Sequence, residues 1–481
     1  MSTGAVGGAR RRPGLWSEPV PVPPLPAVSL RTGTNAPVTA GIRCLPRPGD
    51  DGDRLVVWVE VNGETPSGFR AVPLSSVTSA VATEAAAVAR AQGLPLVFVL
   101  ASSGADIVEG IDALEGWGRL AKAIADCSGS VPTVLVVDGP AVSGPALLLG
   151  LADLVVMTEA SYAFVNGPVM VAEYTGVRVT VDELGAAGRL ARHAGVPSLV
   201  VADRTAAYAA VEELLGYLPQ SVDEPPVRWP TDDPADRPCP EAGALIPGTS
   251  TGSYDVRAVA AAIVDAGSLL ELRERWAANV VTALATLDGR PIGVVANQPM
   301  ALAGTLDIPA SQKAARFVDF CDAFNLPLLT LVDTPGFYPG KDLEWRGMIR
   351  HGAQLVFAYA RATVPRIGVI LRKSYGGAYI VMDSKRMGND LCLAWPWAEL
   401  AVMGAGQAAA ILQRRATPEE RAAFEADYAE RLLNPYVAAE RGFIDAVIEP
   451  AATRREVAHA LAVLADKREL LVARKHANEP C

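Results

Sequence analysis

The chain has 481 residues, half of them hydrophobic and a fifth charged, with a formal net charge of −10. That length exceeds what one hydrophobic core usually supports, so two domains are expected. The acidic balance argues against a nucleic-acid binder held by general electrostatics, and no apolar run approaches the roughly 18–20 residues that span a bilayer.

In chain order, Arg10-Arg11-Arg12 and a proline-rich stretch open the sequence. Without the apolar centre of a secretory signal, residues 1–40 are expected to form a disordered, solvated tail. Residues 41–219 carry strand-length apolar runs such as PLVFVLA and TVLVVDG, separated by polar helical stretches. Residues 220–253 are dense in proline and acidic side chains, which predicts an interdomain linker. Residues 254–481 repeat the alternation of apolar strand, glycine turn and helix that marks an α/β layered domain.

Six cysteines (Cys44, Cys127, Cys239, Cys321, Cys392 and Cys481) are dispersed without a CxxC pair, which points to a reducing, cytoplasmic setting. His193, His351, His459 and His476 form no spaced metal motif, so metal-free chemistry is expected.

The two halves resemble each other. GLPLVFVLASSGADIVEG followed by VPTVLVVDGPAVSGPALLLG in the first half matches NLPLLTLVDTPGFYPGKD followed by VPRIGVILRKSYGGAYIVM in the second. Pro95 pairs with Pro327, Pro132 with Pro365 and Gly144 with Gly377, at a nearly constant offset that predicts a tandem duplication. In the second half, Gly376-Gly377-Ala378 follows a strand and precedes a helix expected to begin near Tyr379. Amides there converge on negative charge developing at a bound oxygen. Val142-Ser143-Gly144-Pro145 occupies the matching place. Because Pro145 has no N–H, Ser143 and Gly144 are the expected donors. No side chain stands out as a general base, so the chemistry should rest on positioning and electrostatics.

GRPIGVVANQPMALAGTLDIPASQKAARFVDFCDAFNLPLLTLVDTPGFYPG, RKSYGGAYIVM, LAWPWAELAVMGA and NPYVAAERGFIDAVI carry a further signal. Over these residues the chain resembles the carboxyltransferase β subunit of biotin-dependent acyl-CoA carboxylases, of the actinobacterial propionyl-/acetyl-CoA type. The resemblance implies an α/β fold, a tandem pair of crotonase-like (ClpP/crotonase) domains, acyl-acceptor half first and biotin half second. It implies a homo-hexamer whose active sites lie between the first domain of one subunit and the second domain of another. It further implies that the amides of Gly377 and Ala378, after Gly376, hold the biotin ureido oxygen. Those of Ser143 and Gly144 would hold the thioester oxygen of an acyl-CoA or similar acyl thioester. In the family, carboxybiotin releases CO2, the biotin anion takes the substrate α-proton, and the enolate captures the CO2. Neither a Met-Lys-Met biotinylation site nor a glycine-rich ATP-binding module is present in the sequence, so the resemblance implies a separate biotin carboxylase and biotin carboxyl carrier protein.

The first half departs from the family pattern. Ala101-Ser102-Ser103-Gly104 stands where Asp-Ser-Gly-Gly is usual, and Ser143 replaces the first glycine of the anion pair. Arg70 is a candidate for a CoA phosphate. Gly104, Asn166, Gly167, Gly336 and Phe337 are expected to border the substrate. Ile380 falls where the family tunes acyl preference. Two competing readings keep this fold: decarboxylation of a malonyl-type thioester, and a catalytically degenerate scaffold subunit of a carboxylase complex.

Overall fold

The computed structural model describes residues 37–480 apart from 50, 51, 62, 66, 67, 250, 468 and 474. The expected tail thus lies outside the described residues up to 36. The first strand already begins at Val38, inside the segment assigned to the tail.

Each half is built on a mainly parallel sheet. In the first, strands run spatially Val38–Pro46, Asp53–Val61, Leu96–Ala105, Thr133–Val142, Leu154–Thr158 and Leu199–Val201. The opening pair is antiparallel and the rest parallel. In the second, the order is Leu270–Leu272, Val280–Leu287, Arg290–Asn297, Leu328–Thr334, Arg366–Tyr375, Leu391–Ala394 and Ala446–Val447. It too opens antiparallel and continues parallel. Val134 to Val137 and Ile367 to Leu371 are buried throughout, as expected where both faces of a parallel sheet are covered.

Helices cross between strands, with ends written locally. Ser75 accepts from the Thr78 N–H at 3.1 Å to start helix Ser76–Gln92, which Gly93 ends at φ +63°. Asp307 does the same for helix Ile308–Ala323 through the Ala310 N–H at 3.0 Å.

The duplication extends to hydrogen bonds. Ser102 Oγ accepts from the Gly104 N–H at 3.2 Å, and Thr334 Oγ1 accepts from the Gly336 N–H at 3.3 Å. Both glycines have positive φ, +111° and +138°. Each turn leaves the carboxyl end of a central strand.

One buried cluster joins the two sheets, with Val56, Val97, Leu214 and Tyr217 packed alongside Leu284, Phe317 and Phe324. Gly195 lies under Trp276, so close that a Cβ would stand 2.2 Å from the ring. The segment 220–253 is seated on the second unit. Trp229 donates its N–H to Gly289 O at 2.6 Å, and Cys239 donates its N–H to Ala451 O at 3.0 Å. Arg454 reaches Pro234 O, Asp233 O and Ile263 O, and the segment contains a helix, Pro240–Ala244.

Candidate active site

The second bend emerges from the carboxyl end of strand Arg366–Tyr375, flanked by strands Leu328–Thr334 and Glu399–Ala401. Gly376 turns the chain at φ +59°, where a Cβ would lie 3.2 Å from Val402 O. A glycine fits that approach without cost. The helix runs Gly376–Val381, three residues earlier than expected, because the second glycine enters the first turn instead of delaying it. The N–H groups of Gly377 and Ala378 therefore lie in the first turn, where no carbonyl of the same helix can accept them.

Beside this turn is a cavity of about 550 Å³ with a largely apolar wall. Gly376, Gly377, Ile380, Val402 and Phe443 line it, and its polar side chains are Tyr379, Tyr428 and Arg441. Ile380 is 39% exposed. Phe337 does not line that cavity; its ring wedges between Gly377 and Gly352, 3.4 and 3.3 Å from where their Cβ atoms would be. Burial pushes the Tyr379 phenol up to about 12, so it stays protonated at neutral pH.

Behind the bend lies a buried ionic network absent from the expected site residues. Asp333, 2% exposed, accepts from Tyr254 Oη at 2.8 Å, Arg372 Nε at 3.0 Å and the Lys373 N–H at 3.1 Å. Arg372 also donates to Thr249 O and Gly252 O at 3.2 and 2.8 Å. Burial, then the Asp333 charge, pushes the Tyr254 phenol far above its ordinary range. The network ties the ends of the two strands that carry both second-half turns. Past the helix, Asp383 sits fully buried against Arg366 Nη1 at 2.7 Å and Asn389 Nδ2 at 3.0 Å. Burial lifts its carboxyl to about 6, an effect that Arg366 opposes.

The first bend is built differently. Ser143 holds φ +65° and ψ −152°. Its N–H donates to Phe164 O at 2.9 Å, extending the pairing of strand Tyr162–Phe164 with Thr133–Val142. The expected Ser143 amide donor is therefore already used. Pro145, buried in the 3₁₀ turn Gly144–Leu147, has no N–H, which leaves the Gly144 amide as the main-chain donor.

Trp117, from helix Ile111–Cys127, covers Gly144 so closely that a Cβ there would stand 2.9 Å from the indole. Its Nε1 is buried without a partner among the described residues. The aromatic wedge that the second half takes from a turn, Phe337, comes here from a helix. Gly104 lies beside Ser143, with 3.2 Å between the Ser143 Cβ and the place a Gly104 Cβ would take. Exposed Asn166 and half-buried Gly167 come one residue, Val165, after the strand whose Phe164 carbonyl receives the Ser143 N–H. The Arg70 side chain lies outside the described residues.

The structure thus gathers Ser143, Gly144 and Gly104 at one bend and Gly376, Gly377, Ala378 and Ile380 at the other. Sequence reasoning did not find Asp333, Arg372, Tyr254 or Trp117. The aspartate immediately before the Thr334 turn was the one available signal.

The carboxyl transferase domain family matches residues 70–479. The propionyl-CoA carboxylase beta chain of Roseobacter denitrificans is 44% identical over 392 residues, covering 81% of this chain and 77% of that protein. The methylmalonyl-CoA decarboxylase subunit alpha of Veillonella parvula is 42% identical over 390 residues, covering 81% and 76%. A solved transcarboxylase 12S structure superposes with a TM-score of 0.87 at 41% identity, covering 92% of this chain and 85% of that one. That structure is a hexamer assembly with methylmalonyl-coenzyme A and methylmalonic acid bound. By the extent of the family match and the level of identity, this chain belongs to the carboxyl transferase domain family, on a crotonase-like α/β fold.

Proposed function

We propose that the protein is the carboxyltransferase subunit of a biotin-dependent acyl-CoA carboxylase, acting on the α-carbon of an acyl-CoA or similar acyl thioester. The observation that carries this reading is the second bend, whose Gly377 lines a largely apolar cavity of about 550 Å³. A fused-ring urea matches it, with an oxygen needing donors and an apolar body needing a dry wall. Biotin, on a separate carrier protein, would supply the transferable carboxyl group there. The Gly377 and Ala378 amides would hold the urea oxygen, and Ile380 and Phe443 would exclude water.

The first bend would receive the thioester carbonyl and stabilise the enolate oxygen through the Gly144 N–H. Gly104 and the 166–167 turn would limit how the acyl group lies. The cavity lining holds neither carboxylate nor histidine, which fits a reaction that works by positioning and charge stabilisation.

The cavity at the second bend is lined by second-half residues alone. Beside the first bend, Leu147, Val165 and Val169 are exposed. Both features fit a site completed by another copy of the chain, within a homo-hexamer. No described helix is long and apolar enough to cross a membrane, and a cytoplasmic setting is proposed.

The test is reconstitution with biotinylated carrier protein, biotin carboxylase, ATP and labelled bicarbonate. Label should enter at least one acyl-CoA; no transfer across acetyl-, propionyl-, butyryl- and longer acyl-CoA contradicts the proposal. The likeness to a decarboxylase subunit favours one second reading, decarboxylation of a malonyl-type thioester. It predicts CO2 release from malonyl- or methylmalonyl-CoA without ATP or carboxylase.

A further inference from the structure

Ser143 is an anomaly. At φ +65° and ψ −152° it holds a backbone conformation that L side chains rarely adopt, in a turn whose counterpart is Gly376 at φ +59°. A glycine would sit there without strain. The serine is exposed, and its hydroxyl makes no cap hydrogen bond to the turn it opens. Its strain secures nothing within the fold that glycine would not secure equally, because the Ser143 N–H bond to Phe164 O needs no side chain.

The bend is also short of donors. At the second bend two first-turn amides stand together, Gly377 and Ala378. Here Pro145 removes the matching second N–H and the Ser143 N–H is used in the sheet, so the Gly144 N–H is the main-chain donor left, and the Trp117 Nε1–H beside it is buried. An enolate oxygen held by one donor lacks half of its expected stabilisation. The Ser143 hydroxyl belongs to the residue directly before Gly144, at the solvent side of the turn, beside Gly104.

We infer that the Ser143 hydroxyl is the second donor of the first bend, a catalytic side chain standing in for the main-chain N–H that Pro145 lacks. It donates one hydrogen bond to the thioester oxygen as charge builds there, and it neither gains nor loses a proton. Hydroxyl rotation lets it follow the oxygen from carbonyl to enolate. This rests on the proposed reading of the first bend as the acyl-thioester side.

The experiment compares Ser143→Gly and Ser143→Ala with the wild-type subunit in the reconstituted carboxylase. Glycine relieves the strain and makes room, whereas alanine keeps the strain; both remove the hydroxyl. The expected result is a similar fall in kcat for both, roughly 10²- to 10³-fold, with KM changed little. The melting temperature of Ser143→Gly should be at or above that of the wild type, which shows that the loss is not misfolding. A Ser143→Gly subunit as fast as the wild type or faster would overturn the inference, since crowding rather than donation would then be the serine's effect. Wild-type subunit that transfers no carboxyl group would instead remove the functional reading, and the inference with it.

Discussion

Gly377→Pro is the most informative single change at the second bend, because it replaces one N–H with a ring methylene at the place where the bound oxygen would sit. Gly377 lies in the first turn of helix Gly376–Val381, directly after Gly376 at φ +59°. Proline is well tolerated there, its missing N–H having no partner within the helix. The added Cβ would lie 3.4 Å from Phe337 Cε2, an ordinary van der Waals contact. Fold and cavity should therefore survive, with a melting temperature within a few degrees of the wild type. Removing one preorganised donor to a developing anion costs about 2.7–4 kcal/mol, or roughly 10²- to 10³-fold in kcat. The assay is labelled-bicarbonate incorporation with carrier and carboxylase supplied in excess. Gly377→Ala is the control, since it makes the same contact with Phe337 and keeps the N–H, and it should retain most of the activity. A folded proline variant working at a third of the wild-type rate or better would refute the donor role. An alanine variant as slow as the proline one would assign the loss to shape.

Ile380→Ala should widen the apolar wall of the biotin cavity where the first bend of another copy would bring the acyl group, and raise the preference for longer over shorter acyl-CoA by about tenfold or more in kcat/KM; an unchanged ratio would confine Ile380 to the biotin side. Gly195→Ala should destabilise the chain by about 2–4 kcal/mol, because it drives a Cβ into Trp276 and imposes φ +61° on a non-glycine. Urea unfolding reads this directly, and an unchanged midpoint contradicts the contact. Burial lifts the Asp153 carboxyl to about 6 against hydrogen bonds from Thr133. A carboxyl whose pKa rises on folding holds its proton more tightly when folded. Its contribution is thus full below the ordinary value of 3.8 and is lost as pH rises through about 6. Asp153→Asn keeps an acceptor for Thr133 and should flatten the fall in urea midpoint across that window; parallel falls in both proteins would exclude Asp153 as the source.

Much of the fold was legible because strand and turn signals are local. Pro95 and Pro327 stand before matching buried strands, and Gly104 and Gly336 end those strands in the same side-chain-to-backbone turn. The second bend was legible for the same reason, although the helix start was misplaced by three residues. Two adjacent glycines read as a breaker, when one of them already has a place in the first turn.

What stayed hidden depends on partners distant in the chain. Asp333 meets Arg372 39 residues later and Tyr254 79 residues earlier, and no spacing rule connects them. The use of the Ser143 N–H follows from a three-residue strand that apolar patterning does not reveal. The 220–253 segment has the composition of a linker, yet Trp229, Cys239 and backbone bonds to Gly289 and Ala451 fasten it down.

The most direct test of two bends contributed by different copies is complementation between two inactive subunits. Ser143→Phe should block the first bend and Gly377→Pro should disarm the second, each alone giving little carboxyl transfer. Co-expressed in one assembly with random mixing, about a quarter of the sites would combine an intact first half with an intact second half from different copies. Recovery of about a quarter of wild-type activity is the predicted result. A mixed assembly as inactive as either variant alone would contradict the account, because the two bends would then act within one chain or not act together at all.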